Sequence, residues 1–182
     1  MREAISNYKL FIASPASNAI PEKIDAYYNI AYAYREIDAE TRASENFRIY
    51  LQSNPKNSRK EVDACFRVAD IFYLNKENAL AIEFYEKALA YNSALNDKAL
   101  YYVAKTYGYS GEGTLKVEKL KEILMAYANS KYAMNATYEL ANTYSSIGNN
   151  DDALTYYDNL IIDFPNSPFI TQAKIGKANC YL

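Results

Sequence analysis

The feature that most narrows the fold is a six-residue pattern, Ala-x-aromatic-x-aliphatic-Ala, that recurs along the chain. It reads Ala26-Tyr27-Tyr28-Asn29-Ile30-Ala31, Ala64-Cys65-Phe66-Arg67-Val68-Ala69, Ala99-Leu100-Tyr101-Tyr102-Val103-Ala104 and Ala136-Thr137-Tyr138-Glu139-Leu140-Ala141. A fifth copy, Ala173-Lys174-Ile175-Gly176-Lys177-Ala178, has lost the aromatic and the aliphatic residue. Between closing alanines the spacings are 38, 35, 37 and 37 residues. A period of this size, with no strand-like alternation between copies, is the mark of stacked helix pairs. Each pair cannot bury its apolar face alone, so neighbours complete one continuous core and leave long surfaces for partners.

A second set of helices lies between the markers. Ala43, Phe47, Tyr50 and Leu51 recur at i, i+4, i+7 and i+8, one face of an α-helix. Ala81, Tyr85, Ala88 and Leu89 keep that spacing, as do Ala153, Tyr157, Leu160 and Ile161. Lys116, Leu120, Ile123 and Leu124 keep it with a lysine in the small position, and Ala4, Tyr8, Phe11 and Ile12 open the chain in the same way. Each repeat is therefore a hairpin of helix A, which carries the marker, and helix B. The turns between them fall at Asp38-Ala39-Glu40, Asn75-Lys76-Glu77, Gly111-Glu112-Gly113 and Gly148-Asn149-Asn150. Pro55 and Pro165 follow helix B, because proline cannot continue a helix. Ser58-Arg59-Lys60-Glu61 fits a capping box, and Pro168 fits the first helical position after a capping Ser167.

The expected architecture is an all-α, right-handed superhelical solenoid of about ten helices. It comprises a lone helix B at 1–14, repeats at 20–54, 58–92, 95–129 and 131–165, and a lone helix A at 168–182. Opening and closing on single helices, the chain reads as a fragment of a longer protein. Ile175, Ala178, Tyr181 and Leu182 are expected to form the apolar face of the last helix, through which the fragment would self-associate.

Composition excludes much chemistry. The net charge is −2, without the basic excess that nucleic acid or an anionic membrane demands. Histidine is absent, which removes the commonest general base and metal ligand and rules out a conventional catalytic triad. No cofactor or metal is implied. Cys65 and Cys180 lie three repeats apart, too far for a disulfide. No run approaches the roughly 18 apolar residues of a membrane span. Gly108-Tyr109-Ser110-Gly111-Glu112-Gly113 lacks the preceding strand and following Lys-Ser/Thr of a phosphate loop and reads as a helix turn. Asp151 and Asp152 open a helix, where acids favour the positive end of the dipole. The 20 tyrosines exceed what a core needs and point to interaction surfaces.

The pattern resembles the tetratricopeptide repeat (TPR). Its aliphatic-small pair followed by an aromatic residue matches Ile30-Ala31 with Tyr34, Val68-Ala69 with Phe72, Val103-Ala104 with Tyr107, and Leu140-Ala141 with Tyr144. The small residue of helix B matches Ala43, Ala81 and Ala153, and the closing proline matches Pro55 and Pro165. The chain departs from the family in lacking tryptophan, in Lys116, in Ser93 and Ala128 where proline is expected, and in Lys177. The ending Phe164-Pro165-Asn166-Ser167 is similar to a bacterial envelope subgroup, the Tol–Pal periplasmic coordinator and the outer-membrane-assembly lipoprotein. That resemblance implies a periplasmic or outer-membrane-associated protein.

The resemblance also implies where a partner protein or peptide would sit. In such repeats helix A lines the concave face, through Asp25, Tyr28, Tyr32 and Arg35, then Asp63, Phe66, Asp70 and Tyr73. The third and fourth repeats give Lys98, Tyr101, Lys105 and Gly108, then Asn135, Tyr138, Asn142 and Ser145. The aromatic series Tyr28, Phe66, Tyr101, Tyr138 either clamps an extended peptide or packs each ring against the next helix A. The lysine–asparagine set that holds free carboxyl termini is not reproduced. Asp25, Asp63 and Asp70 would attract the basic part of a ligand, Lys98 and Lys105 the acidic part. The expected function is a non-enzymatic scaffold binding a protein segment in the groove. The alternative is a subunit docking into an envelope complex through its outer faces.

Overall fold

The computed structural model describes residues 2–15 and 21–182, which form ten α-helices and, among those residues, no strand. Met1 and residue 20, two of the expected repeat boundaries, lie outside the described residues. The helices divide between two compact units, Met1–Ser93 and Ala94–Leu182. The first holds α1 (Arg2–Ala13), α2 (Pro21–Arg35), α3 (Glu40–Gln52), α4 (Ser58–Leu74) and α5 (Asn78–Leu89). The second holds α6 (Asn96–Tyr109), α7 (Gly113–Ala126), α8 (Lys131–Ser146), α9 (Asn150–Asp163) and α10 (Ile170–Asn179). Within each unit every helix packs on the next, and in the second α8 also touches α6 and α10.

The marker alanines do the work their size suggests. Ala31, Ala69, Ala104 and Ala141 are all fully buried, as are Ala43, Ala81 and Ala153 of the B helices. Small side chains let the backbones of a pair approach, and the larger Phe47, Tyr50, Tyr85, Leu120, Ile123 and Leu160 fill the space alongside.

The four A-to-B turns are one structure built from different residues. Asp38, Lys76, Gly111 and Gly148 occupy the same position with positive φ, 56°, 62°, 80° and 75°. The following N–H reaches back to the carbonyl five residues earlier in each: Ala39 to Tyr34, Glu77 to Phe72, Glu112 to Tyr107 and Asn149 to Tyr144, at 2.9–3.0 Å. This satisfies carbonyls that the end of helix A leaves open. A lysine in the left-handed region pays a steric cost that glycine does not, since its Cβ crowds the following carbonyl. Lys76→Gly is therefore expected to raise stability by about 0.5–1 kcal/mol, the strain relieved less the added entropy of the unfolded chain. Lys76→Ala keeps the Cβ and should give no such gain. Urea unfolding of the two variants measures the difference.

The helix starts differ in detail from the sequence reading. The α4 cap is Asn57, whose side chain accepts from the Lys60 N–H, one residue before the anticipated Ser58. Helix α10 begins at Ile170, because Pro168 and Phe169 form a turn in which the Ser167 hydroxyl accepts from the Phe169 N–H at 3.1 Å. It ends at Asn179, so Tyr181 and Leu182 lie beyond the helix whose apolar face they were expected to share. Ile175, Tyr181 and Leu182 are all exposed. Cys65 and Cys180 are buried free thiols, and burial pushes Cys65 up to about 12.

Candidate functional site

In the first unit the inner faces of α2 and α4 meet around one carboxylate. Asp63 accepts hydrogen bonds from the hydroxyls of Tyr28, at 2.7 Å, and Tyr32, and pairs with the Arg67 guanidinium at 3.2 Å. Arg67 also donates to the Tyr32 oxygen at 3.0 Å, and Lys60 pairs with Asp25 at 2.8 Å. The cations lie over the rings: Lys60 over Tyr28 at 5.4 Å and Arg67 over Tyr32 at 5.7 Å. Beneath them Tyr28 packs on Phe47 and Tyr50, and Tyr32 on Phe47. Burial first, then the bond to Asp63, pushes the Tyr28 hydroxyl well above the ordinary phenol range.

The same register recurs in the second unit with other residue types. The position that Lys60 occupies over Tyr28 is taken by Tyr132 against Tyr101, with ring centres 5.2 Å apart. In α10's approach it is taken by Phe169, stacked on Tyr138 at 4.5 Å and 4°. Burial, and then the Glu139 carboxylate, raise Tyr101 to about 12, while its bond with Asn135 opposes them. Phe66 is 3% exposed, its ring against Tyr85. Tyr28, Tyr101 and Tyr138 thus each pack against the next helix A or the turn that leads into it, the second of the two roles open in the sequence.

Other anticipated binding residues have internal partners as well. Asp70 accepts from the Tyr85 hydroxyl at 2.7 Å, and Asn142 from the Tyr157 hydroxyl at 2.8 Å. In both repeats a buried helix B tyrosine meets an acceptor on its own helix A. Where helix B carries Phe47 or Leu120 instead, helix A carries Tyr32 or Lys105 at that position. Arg35 lies 3.6 Å from Glu40, and Tyr73 is half-buried. Asp25, Asp63 and Asp70 were expected to make the first two repeats acidic. Lys60, Arg67 and the Tyr85 hydroxyl already engage them. Lys60 and Arg67 escaped the sequence reading because neither occupies one of the inward positions carried over from the family.

The lysine in the small position of α7 is explained by its neighbours. Lys116 stretches past Gly108, where a Cβ would come within 3.0 Å of its Cδ, and pairs with Glu139 of α8 at 2.7 Å. What remains for a ligand on α6 is Lys105, with its ammonium 5.9 Å from the Tyr101 ring centre and 6.0 Å from that of Tyr109. About two helical turns earlier, Lys98 lies 5.8 Å from the Tyr102 ring centre. The first unit also has a cleft of about 630 Å³ between α1 and α2, lined by Ala4, Tyr8, Phe11, Glu22, Asp25 and Asn29, among others. Among the described residues no cluster of three metal-ligating side chains occurs, and no helix is long and apolar enough to cross a membrane.

Residues 62–95 and 135–167 each match a tetratricopeptide repeat family model. No curated protein sequence matches the chain. Among solved structures, MamA superposes with a TM-score of 0.65 at 17% identity, over 96% of this chain and 89% of that one. YrrB, described as a TPR protein with an unusual peptide-binding site, gives 0.65 at 17% identity, over 96% and 81%. A tetratricopeptide repeat protein from Parabacteroides merdae gives 0.66 at 19% identity, over 98% and 66%. At these identities the likeness is one of fold. The chain carries tetratricopeptide repeats at 62–95 and 135–167, set in an all-α array with the fold of tetratricopeptide solenoids.

Proposed function

We propose that the chain is a non-enzymatic scaffold that binds an acidic segment of a partner protein on the α6 face of the second unit. The observation that carries this reading is the Lys105 ammonium shared between the Tyr101 and Tyr109 rings, of which Tyr109 is 65% exposed. Among the described residues Lys105 enters no ion pair. Its donors can therefore serve an incoming carboxylate while the exposed Tyr109 ring offers apolar contact at little entropic cost. The absence of histidine and the peptide-binding site named for YrrB support a binding role over a catalytic one.

The test is a selection of random peptides on the immobilised chain. Recovered sequences should be rich in Asp and Glu beside apolar residues. Their binding should weaken at least tenfold in the Lys98→Glu, Lys105→Glu variant, most visibly at low salt, where such steering is least screened. Peptides that bind the variant equally well would shift the reading to docking through the outer helix faces. An envelope setting rests on the Phe164-Pro165-Asn166-Ser167 resemblance alone, and fractionation of the source cell tests it.

A further inference from the structure

We propose that the second unit carries a pocket for an arginine side chain of a partner protein, at the edge where α7 and α9 end and α8 begins. The pocket measures about 340 Å³. That is the small end of the roughly 300–1,000 Å³ usual for ligand sites, room for one side chain rather than a helix. Its floor is the buried Ala133 and Thr137 of α8. Leu124 of α7 and Phe164 after α9 supply apolar walls, and the exposed Asn129, Asn159 and Asp163 form a polar rim. The elements around it have their array neighbours in place, α6 packed on α7 and α10 on α9.

The first unit shows the same place filled. The closing alanines Ala69 and Ala141 are 72 residues apart, and so are the helix B alanines Ala81 and Ala153. Ala133, Thr137, Asn159 and Asp163 are therefore the equivalents of Glu61, Cys65, Lys87 and Tyr91. In the first unit the half-buried Tyr91 donates its hydroxyl to Glu61 at 3.1 Å, and the two side chains close the space between α4 and the end of α5. In the second unit the ring is replaced by the carboxylate of Asp163, and the carboxylate by the methyl group of Ala133. The plug is gone and an acid stands at the mouth.

Charge selects what replaces the plug. Among the described residues the Asp163 carboxylate enters no ion pair. Helices α7 and α9 both finish here, neither with a basic residue in its last turn, and helix C-termini favour cations. The start of α8 offers an anion little. Its Tyr132 and Ala133 N–H groups already donate to the Ser130 side chain, and Lys131 lies over the Tyr132 ring at 5.0 Å. Among cations, guanidinium matches the donor and acceptor set. It can fork onto Asp163, lie against the Phe164 ring and give its remaining N–H groups to the Asn129 and Asn159 carbonyls, its stem covering Leu124 and Ala133. An ammonium has neither the fork nor the plane. The pocket shares no residue with the α6 face proposed above, so either reading can fail alone.

The experiment titrates N-acetyl-arginine amide into the isotope-labelled full chain and follows the amide signals by NMR. Saturable shifts are expected at Ala133, Thr137, Asp163 and Phe164 and in the side-chain amides of Asn129 and Asn159, with none at Glu61, Cys65 and Tyr91. Asp163→Asn, a change at an exposed residue, should weaken binding at least fivefold, because the charge-assisted fork is lost. N-acetyl-lysine amide should bind at least threefold more weakly than the arginine probe. Ala133→Glu combined with Asp163→Tyr restores the residues of the first unit's plug and should abolish the shifts. Binding indifferent to Asp163→Asn, or equal binding of the lysine probe, overturns the proposal. So do shifts scattered over both units, which would mean that guanidinium meets the acidic surface at large.

Discussion

Asp63→Ala is expected to cost roughly 2–3 kcal/mol of unfolding free energy, although Asp63 is neither apolar nor fully buried. The reason is what it leaves behind. Its carboxylate is the shared acceptor of two tyrosine hydroxyls and one guanidinium, and without it the hydroxyls face each other and a cation across the α2–α4 contact. A lone surface ion pair would contribute only about 0–1 kcal/mol. The larger figure comes from unpaired donors on half-buried side chains, offset in part by water, since the Asp63 and Arg67 side chains are 28% and 33% exposed. Asp63→Asn keeps one acceptor oxygen and should fall between the two. Urea unfolding monitored by tyrosine fluorescence reads the series. Equal stability for Asp63→Ala and wild type would mean that the α2–α4 contact rests on ring packing alone.

The helices were legible because their signals are local. Alanine spacing, proline stops and turn residues act within one helix pair, and the turns at Asp38, Lys76, Gly111 and Gly148 follow from positions that sequence periodicity aligns. Caps were legible to within a residue or two, as Asn57 and Ser58 show, because neighbouring polar residues compete for the same N–H groups.

The candidate site was legible only in outline. Inward position says which residues share a face. It does not say which of them another helix has already claimed. Tyr28, Tyr101 and Tyr138 are covered by Lys60, Tyr132 and Phe169, residues some thirty positions away whose meeting depends on how far one helix slides along the next. Asp70 and Asn142 had a signal that was available: each pairs with a tyrosine four residues after the small residue of helix B, and each is replaced where that tyrosine is. The signal lies in the coupling of the two positions across the helix pair. The α1–α2 cleft follows in outline from the lone helix B at 1–14, but its size depends on a distance between helices that no local pattern encodes.

Gly176→Ala should destabilise the docking of α10 by about 1–3 kcal/mol, against what helix propensity alone dictates. Inside a helix, alanine is favoured over glycine by roughly 0.5–1 kcal/mol. A Cβ at 176, however, would fall 2.3 Å from both Cζ and Oη of Tyr157. A free side chain could swing away, but Tyr157 is 2% exposed and its hydroxyl is bonded to Asn142 at 2.8 Å. Either the ring gives up that bond or α10 moves off α9, so the collision outweighs the propensity gain. α10 is further held by the buried Ala173 and Cys180, by the Asn150 side chain on the Cys180 carbonyl at 3.0 Å, and by Lys177 on Asp158. Few of those contacts can take up a displacement. Hydrogen exchange should therefore show α10 amides losing protection in Gly176→Ala while α8 keeps its own. Tyr157→Leu, which shortens the opposing side chain, should return much of that protection when combined with Gly176→Ala. Unchanged α10 protection in the single variant would show that the α9–α10 approach is looser than a glycine contact requires.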